Sequence, residues 1–441
     1  MDKNNENKYR ELVVGTDTVI PVSDGRRITA INFDNAATTP PFNSVLQDIL
    51  SFAPWYSSIH RGEGFKSQIS SLLYENSRLE IMRFVDADPI GNTVIYVKNT
   101  TEAINKLAFK LQVPDKKALI LSSGMEHHSN DLPWRDKYIV KYIEIDKCGR
   151  LRLDDLEEKL QKYEGEVRLV ALTGASNVTG YINPIYEAAE LAHRYGAKIL
   201  VDGAQLIPHR PFSMKENRDK QHIDFLVFSA HKMYAPFGTG VLIGPEDAFS
   251  NGPPDYSGGG TVDVVTTSFV KWNDTPHRDE AGTPNIMGVT ALVSAIRTMD
   301  EIGMENVMYY EESLVRYGLE RLKNIKDVTL YCEEGEYGRV SIIPFNIEEV
   351  YHGVVAKALS YDYGIAVRNG CFCAQPYIQR LLNITPQEIG KYISGESGTM
   401  RPGMVRLSFG IYNTKSEIDR LAEALEQISS NKRLYIHKYM E

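Results

Sequence analysis

The sequence predicts an α/β protein with a mostly parallel central sheet, helices on both of its faces, and a smaller C-terminal α+β domain. Three observations carry that expectation. The runs "TVIYV", "RLVALT", "AKILVD" and "DFLVF" are short, rich in β-branched or aromatic residues and apolar almost throughout, as strands covered on both faces must be. They alternate with amphipathic helical stretches, the pattern of repeated strand–helix units. After about residue 290 the alternation gives way to a long helical stretch, "IMGVTALVSAIRTMDEIGMENVMYYEESLVRYGLERLKNI".

Taken in order, "TVIYVKNTTEAINKLAFKL" reads as strand, turn and helix. So does "RLVALTGASNVTGYINPIYEAAELAHRYG". "AKILVDGAQ", "DFLVFSAHK" and "TGVLIG" supply further strands. Beyond the long helical stretch, "VTLYCEEGEYGRVSIIPFNI" and a final amphipathic helix, "KSEIDRLAEALEQISS", complete the smaller domain. The expected division is residues 1–29 as a segment packing on the small domain, 30–295 as the large domain and 296–441 as the small one.

Composition narrows the function. The chain has 441 residues, 42% hydrophobic and 24% charged, enough to bury a sizeable core. Net charge is −9, from 58 acidic and 49 basic residues, which argues against nucleic-acid or anionic-membrane partners. The polar N-terminus lacks a signal peptide's apolar core, and no apolar run reaches the roughly 18 residues of a membrane helix. Four cysteines make no disulfide framework at this length, so a cytoplasmic, reduced protein is expected.

The chemistry gathers at strand ends, where sheets of this kind bind ligands. After "VIYVKN" come Thr100 and Thr101, opening a helix with hydroxyls and backbone N–H groups suited to phosphate. "GMEHHSN" puts His127 and His128 in a loop; "KILV" is followed by Asp202 and Gln205, and "FLVF" by Ser229, His231 and Lys232. Singly, each has a plain structural explanation: helix caps, a satisfied histidine, a solvated lysine. Together they meet the needs of pyridoxal 5′-phosphate: a lysine amine for a Schiff base, a carboxylate for the pyridinium nitrogen, a phosphate cup and a flat group on the ring.

The motifs "FDNAATTP", "NTTEAIN", "MEHHSNDLPW", "SNVTGYINPI", "VDGAQ", "FSAHKMYAPFGTGVL", "EAGTPN" and "VRNGCFCAQP" resemble the class V aminotransferase family, over about residues 30 to 415. The likeness is strongest to its cysteine desulfurases and selenocysteine lyases of the short-loop type. That resemblance implies PLP-dependent fold type I and a homodimer with active sites at the subunit interface. It implies Lys232 as the Schiff-base lysine, Asp202 as the pyridinium partner, Gln205 on the ring hydroxyl, and His127 stacked on the ring as acid/base. Thr100, Thr101, Ser229 and His231 would hold the phosphate, with Thr283 reaching it from the neighbouring subunit. Asn177 would lie near the substrate and ring hydroxyl, with Asn35 and Ala36 beside the substrate. Arg406 would clamp the substrate carboxylate, with Arg368 a second candidate; a guanidinium grips a carboxylate bidentately. His60, Arg61 and Gly62 match the family's "HRG" segment and would line the partner's entrance.

Cys373 stands where the family's desulfurases carry their nucleophile, and a thiolate there needs an electropositive setting such as Arg368 provides. A buried structural cysteine is the plainer alternative. Cys371, where short-loop relatives often have histidine, is a relay thiol or a packed bystander. A relaxed disulfide at this spacing is disfavoured, and no metal site is expected. Cys148 and Cys332 read as structural. The segment 377–404 inserts a helix and a glycine-rich loop where short-loop relatives are compact, shaping the entrance or a docking surface for a sulfur-acceptor protein. The implied reaction converts L-cysteine to L-alanine, leaving a persulfide on Cys373, with L-selenocysteine as the other candidate substrate. The alternatives are another class V reaction (aminotransferase, epimerase or C–S lyase) with Cys373 a bystander, or a non-catalytic scaffold that docks a partner.

Overall fold

The computed structural model describes residues 8–112, 118–250, 252–332, 338–395 and 400–440. Seven strands form the central sheet: β1 (Asn92–Val97), β2 (Leu119–Ser123), β3 (Ile139–Ile143), β4 (Val167–Thr173), β5 (Lys198–Asp202), β6 (Phe225–Ser229) and β7 (Gly240–Pro245). Their spatial order is β1-β7-β6-β5-β4-β2-β3. The pairs β6–β5, β5–β4, β4–β2 and β2–β3 are parallel, while β7 runs antiparallel to both its neighbours. The short return from Ser229 to Gly240 has no room for the crossover of a dozen or more residues that a parallel partner requires.

Successive strand residues feed opposite cores, as a period of two dictates. Phe225 and Val227 join one apolar cluster; Leu226 and Phe228 join the other. The first is covered by Ala103, Ile104 and Leu107 of the helix Thr100–Lys110. The second is covered by the helices Leu153–Lys162, Ile185–Arg194 and Ile286–Ile302. Both faces of the sheet are therefore buried from β1 to β2, which is why those strands carry no polar alternation; only the edge strand β3 leaves Ile139, Lys141 and Tyr142 exposed.

A third core belongs to the C-terminal part. Strands β8 (Val328–Leu330), β9 (Ile342–Ile347), β10 (Arg368–Gly370) and β11 (Met404–Ser408) form an antiparallel sheet in the order β8-β9-β11-β10. The helices Met304–Lys323, His352–Tyr363 and Lys415–Ser430 pack on it. The long helical stretch is two helices, not one: the chain turns at Gly303, whose φ of 83° suits only glycine at low cost. The boundary expected near residue 295 lies inside the first of these helices, where Ile296 and Met299 still pack with the large sheet's core. Ile31 and Phe33, assigned by sequence to the large domain, lie in the third core. Of the N-terminal segment, Arg10 donates to Glu417 (2.8 Å) and to the Tyr412 carbonyl (3.1 Å), against the C-terminal part; residues 1–7 lie outside the described residues. No described helix is long and apolar enough to cross a membrane.

Candidate active site

At the carboxyl ends of the parallel strands, one cavity takes in Ala36, Thr100, Thr101, His127, Asn177, Asp202, Gln205, Ser229, His231, Lys232, Arg368, Cys373 and Arg406. Asn35, expected beside the substrate, is missing from it, and Thr283, expected from a neighbouring subunit, does not line it in its own chain. The buried Asn35 side chain turns into the protein and donates to the Phe409 carbonyl (3.4 Å), so it is Ala36 that faces the cavity. Thr283 lines a separate hollow with His60 and Arg61.

The site is built from strand ends. Lys232 closes a single helical turn, Ala230–Lys232, directly after β6, and its ammonium has no hydrogen-bond partner among the described residues. Burial lowers its pKa to about 8, opposed by the attraction of Asp202. Asp202 ends β5 fully buried; one carboxylate oxygen accepts from the Ala204 N–H (3.0 Å), and burial raises the group's pKa. Three residues on, the Gln205 amide donates to the Ala36 carbonyl (2.8 Å), which leaves its Oε1 buried without a partner.

Ser229 Oγ accepts from the Thr100 N–H at 2.9 Å, where the helix Thr100–Lys110 begins behind an Asn99 cap. Thr101 Oγ1 lies 2.7 Å from Ser129 Oγ. His127 Nδ1 accepts from the Ser129 N–H (3.1 Å), and burial takes the imidazole's pKa down to about 3. A neutral ring whose Nδ1 accepts carries its proton on Nε2, so His127 presents a donor. Behind it, Glu126 is fully buried between Ser123 (2.5 Å) and Asn130 (2.7 Å), and burial raises its pKa to about 8. Glu126 and Ser129 are site supports that sequence reading passed over, although both stand in "MEHHSN".

The remaining wall comes from the C-terminal part. Arg406 on β11 donates to the Asn177 carbonyl (2.8 Å) and to Asp34 (3.1 Å), while its Nε is buried without a partner. The Phe372 ring lies 5.0 Å from the guanidinium, a cation–π contact. Phe372 and Cys373 both have positive φ, 50° and 55°, which costs free energy in residues with a Cβ. The turn is held by bonds to its carbonyls: the Asn177 amide donates to Phe372 (2.7 Å) and the His128 N–H to Cys373 (2.7 Å). The result is an exposed Cys373 that lines the same cavity as Lys232. Cys371 does not line the cavity; its thiol donates to the Pro402 carbonyl (3.1 Å) and burial raises its pKa. Cys332 donates to the Cys148 carbonyl (3.2 Å), and burial pushes its thiol up to about 11.

The aminotransferase class-V family model matches residues 31–421. The chain belongs to the class V aminotransferase family. Among its relatives, a probable cysteine desulfurase of Halalkalibacterium halodurans is 34% identical over 90% of this chain and 92% of its own length. A cysteine desulfurase of Haloferax volcanii is 32% identical over 94% of this chain and 93% of its own. The apo structure of a cysteine desulfurase from Thermococcus onnurineus superposes with a TM-score of 0.80 at 30% identity, covering 91% of this chain and 95% of that one. The fold is that of the family's pyridoxal-phosphate enzymes, and the resemblance read from the motifs holds across most of the chain.

Proposed function

We propose that this class V enzyme is a pyridoxal-phosphate-dependent cysteine desulfurase with Cys373 as its nucleophile. The observation that carries the proposal is the strained Phe372–Cys373 turn, which puts a thiol into the same cavity as Lys232, Asp202 and Arg406. Strain of this kind persists where the surroundings over-determine it and where it serves a site.

The residues fit the cofactor. Gln205 Oε1, buried and unpartnered, suits a ring hydroxyl, and buried Asp202, with its raised pKa, suits a cationic ring nitrogen. Thr100, Thr101, Ser229 and His231, around the start of an 11-residue helix, suit a phosphate, with Thr283 of a second subunit completing the cup. When bound, pyridoxal phosphate supplies an electron sink for the pair released at the substrate's Cα.

The chain's own residues do the rest. Lys232, whose lowered pKa leaves much of its amine neutral near pH 8, takes the Cα proton. Arg406 grips the substrate carboxylate through its free Nε edge. Cys373 thiolate attacks the substrate sulfur: an S–S bond forms, the Cβ–S bond breaks, and Cβ keeps the electron pair and takes a proton. Alanine leaves, and the persulfide on Cys373 passes its sulfur to an acceptor.

A homodimer is part of this reading. Thr283, His60 and Arg61 share a hollow that has no cofactor residue from their own chain, as residues that complete a partner's site would. The test incubates the cofactor-loaded protein with L-cysteine, measures alanine and sulfide with and without reductant, and weighs the Cys373 peptide for one added sulfur atom. Cys373→Ala is expected to cut alanine formation by about 100-fold or more while leaving the cofactor's visible absorption intact. Equal turnover by the variant would refute the assignment.

A further inference from the structure

At the amino ends of β5 and β6, the end of the sheet away from the active site, two histidines meet one carboxylate. His193 lies in the last turn of the helix Ile185–Arg194, and His222 and Asp224 lie in the chain just before β6. His193 Nε2 is 2.9 Å from Asp224 Oδ2, and His222 Nε2 is 3.6 Å from Asp224 Oδ1. The two imidazoles stack with centroids 4.2 Å apart and planes 17° apart.

What the other ring nitrogens do is decisive. His193 Nδ1 lies 2.7 Å from the Lys220 carbonyl, and His222 Nδ1 lies 2.6 Å from the Asp219 carbonyl. A carbonyl only accepts, so both Nδ1 atoms carry hydrogen and both Nε2 atoms are the ones left to bind. Tying Nδ1–H to a carbonyl is the arrangement that fixes a metal-binding imidazole. Asp224 is fixed as well: the Ile199 N–H donates to Oδ2 at 2.9 Å. Each Nε2 faces an Asp224 oxygen, so either a proton or a metal cation must lie between nitrogen and carboxylate.

We propose that His193, His222 and Asp224 form a binding site for a divalent transition-metal ion of the zinc class. Two imidazole nitrogens and a carboxylate oxygen are a common zinc ligand set, with water as fourth ligand. Metal–ligand bonds of roughly 2.0–2.1 Å at tetrahedral angles separate donor atoms by about 3.3 Å; the two Nε2 atoms face different Asp224 oxygens, at 2.9 and 3.6 Å, so the carboxylate turns to present one oxygen to both as an ion enters. The three donor atoms all lie within 4.8 Å of one another. Lys198 Nζ, 2.8 Å from Asp224 Oδ1, competes for the carboxylate, but its side chain is about half exposed and free to swing into water as an ion enters. Lys198 starts β5, whose far end carries Asp202, so a bound ion stands about 13 Å or more from the catalytic lysine's end of the sheet. Its effect is to tie the end of the helix Ile185–Arg194 to the loop leading into β6.

The test titrates zinc chloride into the cofactor-loaded enzyme at pH 7.5 by calorimetry, beside His193→Ala, His222→Ala, the double variant and Lys198→Ala. One zinc equivalent per chain is expected beyond that of the double variant, weakened at least about tenfold by either single histidine change. Lys198→Ala, which keeps all three ligands, is expected to bind zinc more tightly. Copper(II) at the site should couple to two nitrogens in its paramagnetic resonance spectrum. Zinc binding of equal stoichiometry and affinity in the double variant, or unchanged or weaker binding in Lys198→Ala, overturns the proposal and leaves the cluster an ion-pair network only.

Discussion

Lys232 sits where burial favours its neutral amine and Asp202 pulls the other way, with the balance near pH 8. Only the neutral amine attacks an aldehyde. Stopped-flow measurement of pyridoxal-phosphate uptake by the apo chain should therefore find a rate that rises about tenfold per pH unit below 8 and levels off above it. Glu126 gives a second pH signature. Its carboxyl holds a proton to about pH 8 in the folded chain, against an ordinary value of 4.5. Folding takes up a proton between those values, so this group's contribution makes stability fall as pH rises through the window. Glu126→Gln removes the group, and melting temperatures taken from about pH 5 to 8 should decline less steeply than those of the wild type. A slope unchanged by the substitution would mean that Glu126 is ionised in the fold.

The helix Phe65–Phe84 exposes Phe65, Leu72 and Leu79, each more than half accessible and seven residues apart on one face. In the proposed homodimer, this exposed apolar stripe is the surface a second copy would cover. Leu72→Glu should move the protein from dimer to monomer in light scattering, and an unshifted mass would dissociate this helix from the interface. The inner strands of the large sheet were legible because they are apolar on both faces, whereas the edge strand Ile139–Ile143, exposed at Ile139, Lys141 and Tyr142, was not singled out; Asn99, Thr385 and Thr414 cap their helices in place. The break at Gly303 was not legible as a break: "DEIGMENV" continues a helical pattern, and only the packing of Met299 and Leu314 into different cores reveals the turn. The inserted segment resolves into the helices Gln375–Leu381 and Pro386–Ser394, while residues 396–399 of its loop lie outside the described residues.

The whole molecule makes its cavity between two cores, with Asp202 and Lys232 at strand ends of the large sheet, Arg406 on the small sheet and Cys373 in the turn after β10. Arg406 is the strut between them, bonded to the Asn177 carbonyl of one and to Asp34. Replacing it by lysine keeps the charge but loses the planar fork. Steady-state kinetics of Arg406→Lys should give a KM for L-cysteine raised about tenfold or more. A KM left at the wild-type value would mean that Arg406 is a structural strut alone.

The sequence by itself determined the residue types at each strand end, because a lysine, an aspartate and a histidine cost too much at those positions to be there without a task. It also determined the layered α/β architecture, through runs of apolar residues too short for helices and too continuous for a one-sided sheet. Only the tertiary structure decided which way side chains turn: Asn35 inward to Phe409, Asn177 onto the Cys373 turn, Cys371 away from the cavity. It alone brought His193 to His222 and Asp224, about thirty residues along the chain. Backbone carbonyls and N–H groups make those choices, and their positions follow from how strands and helices pack, not from any local pattern of side chains.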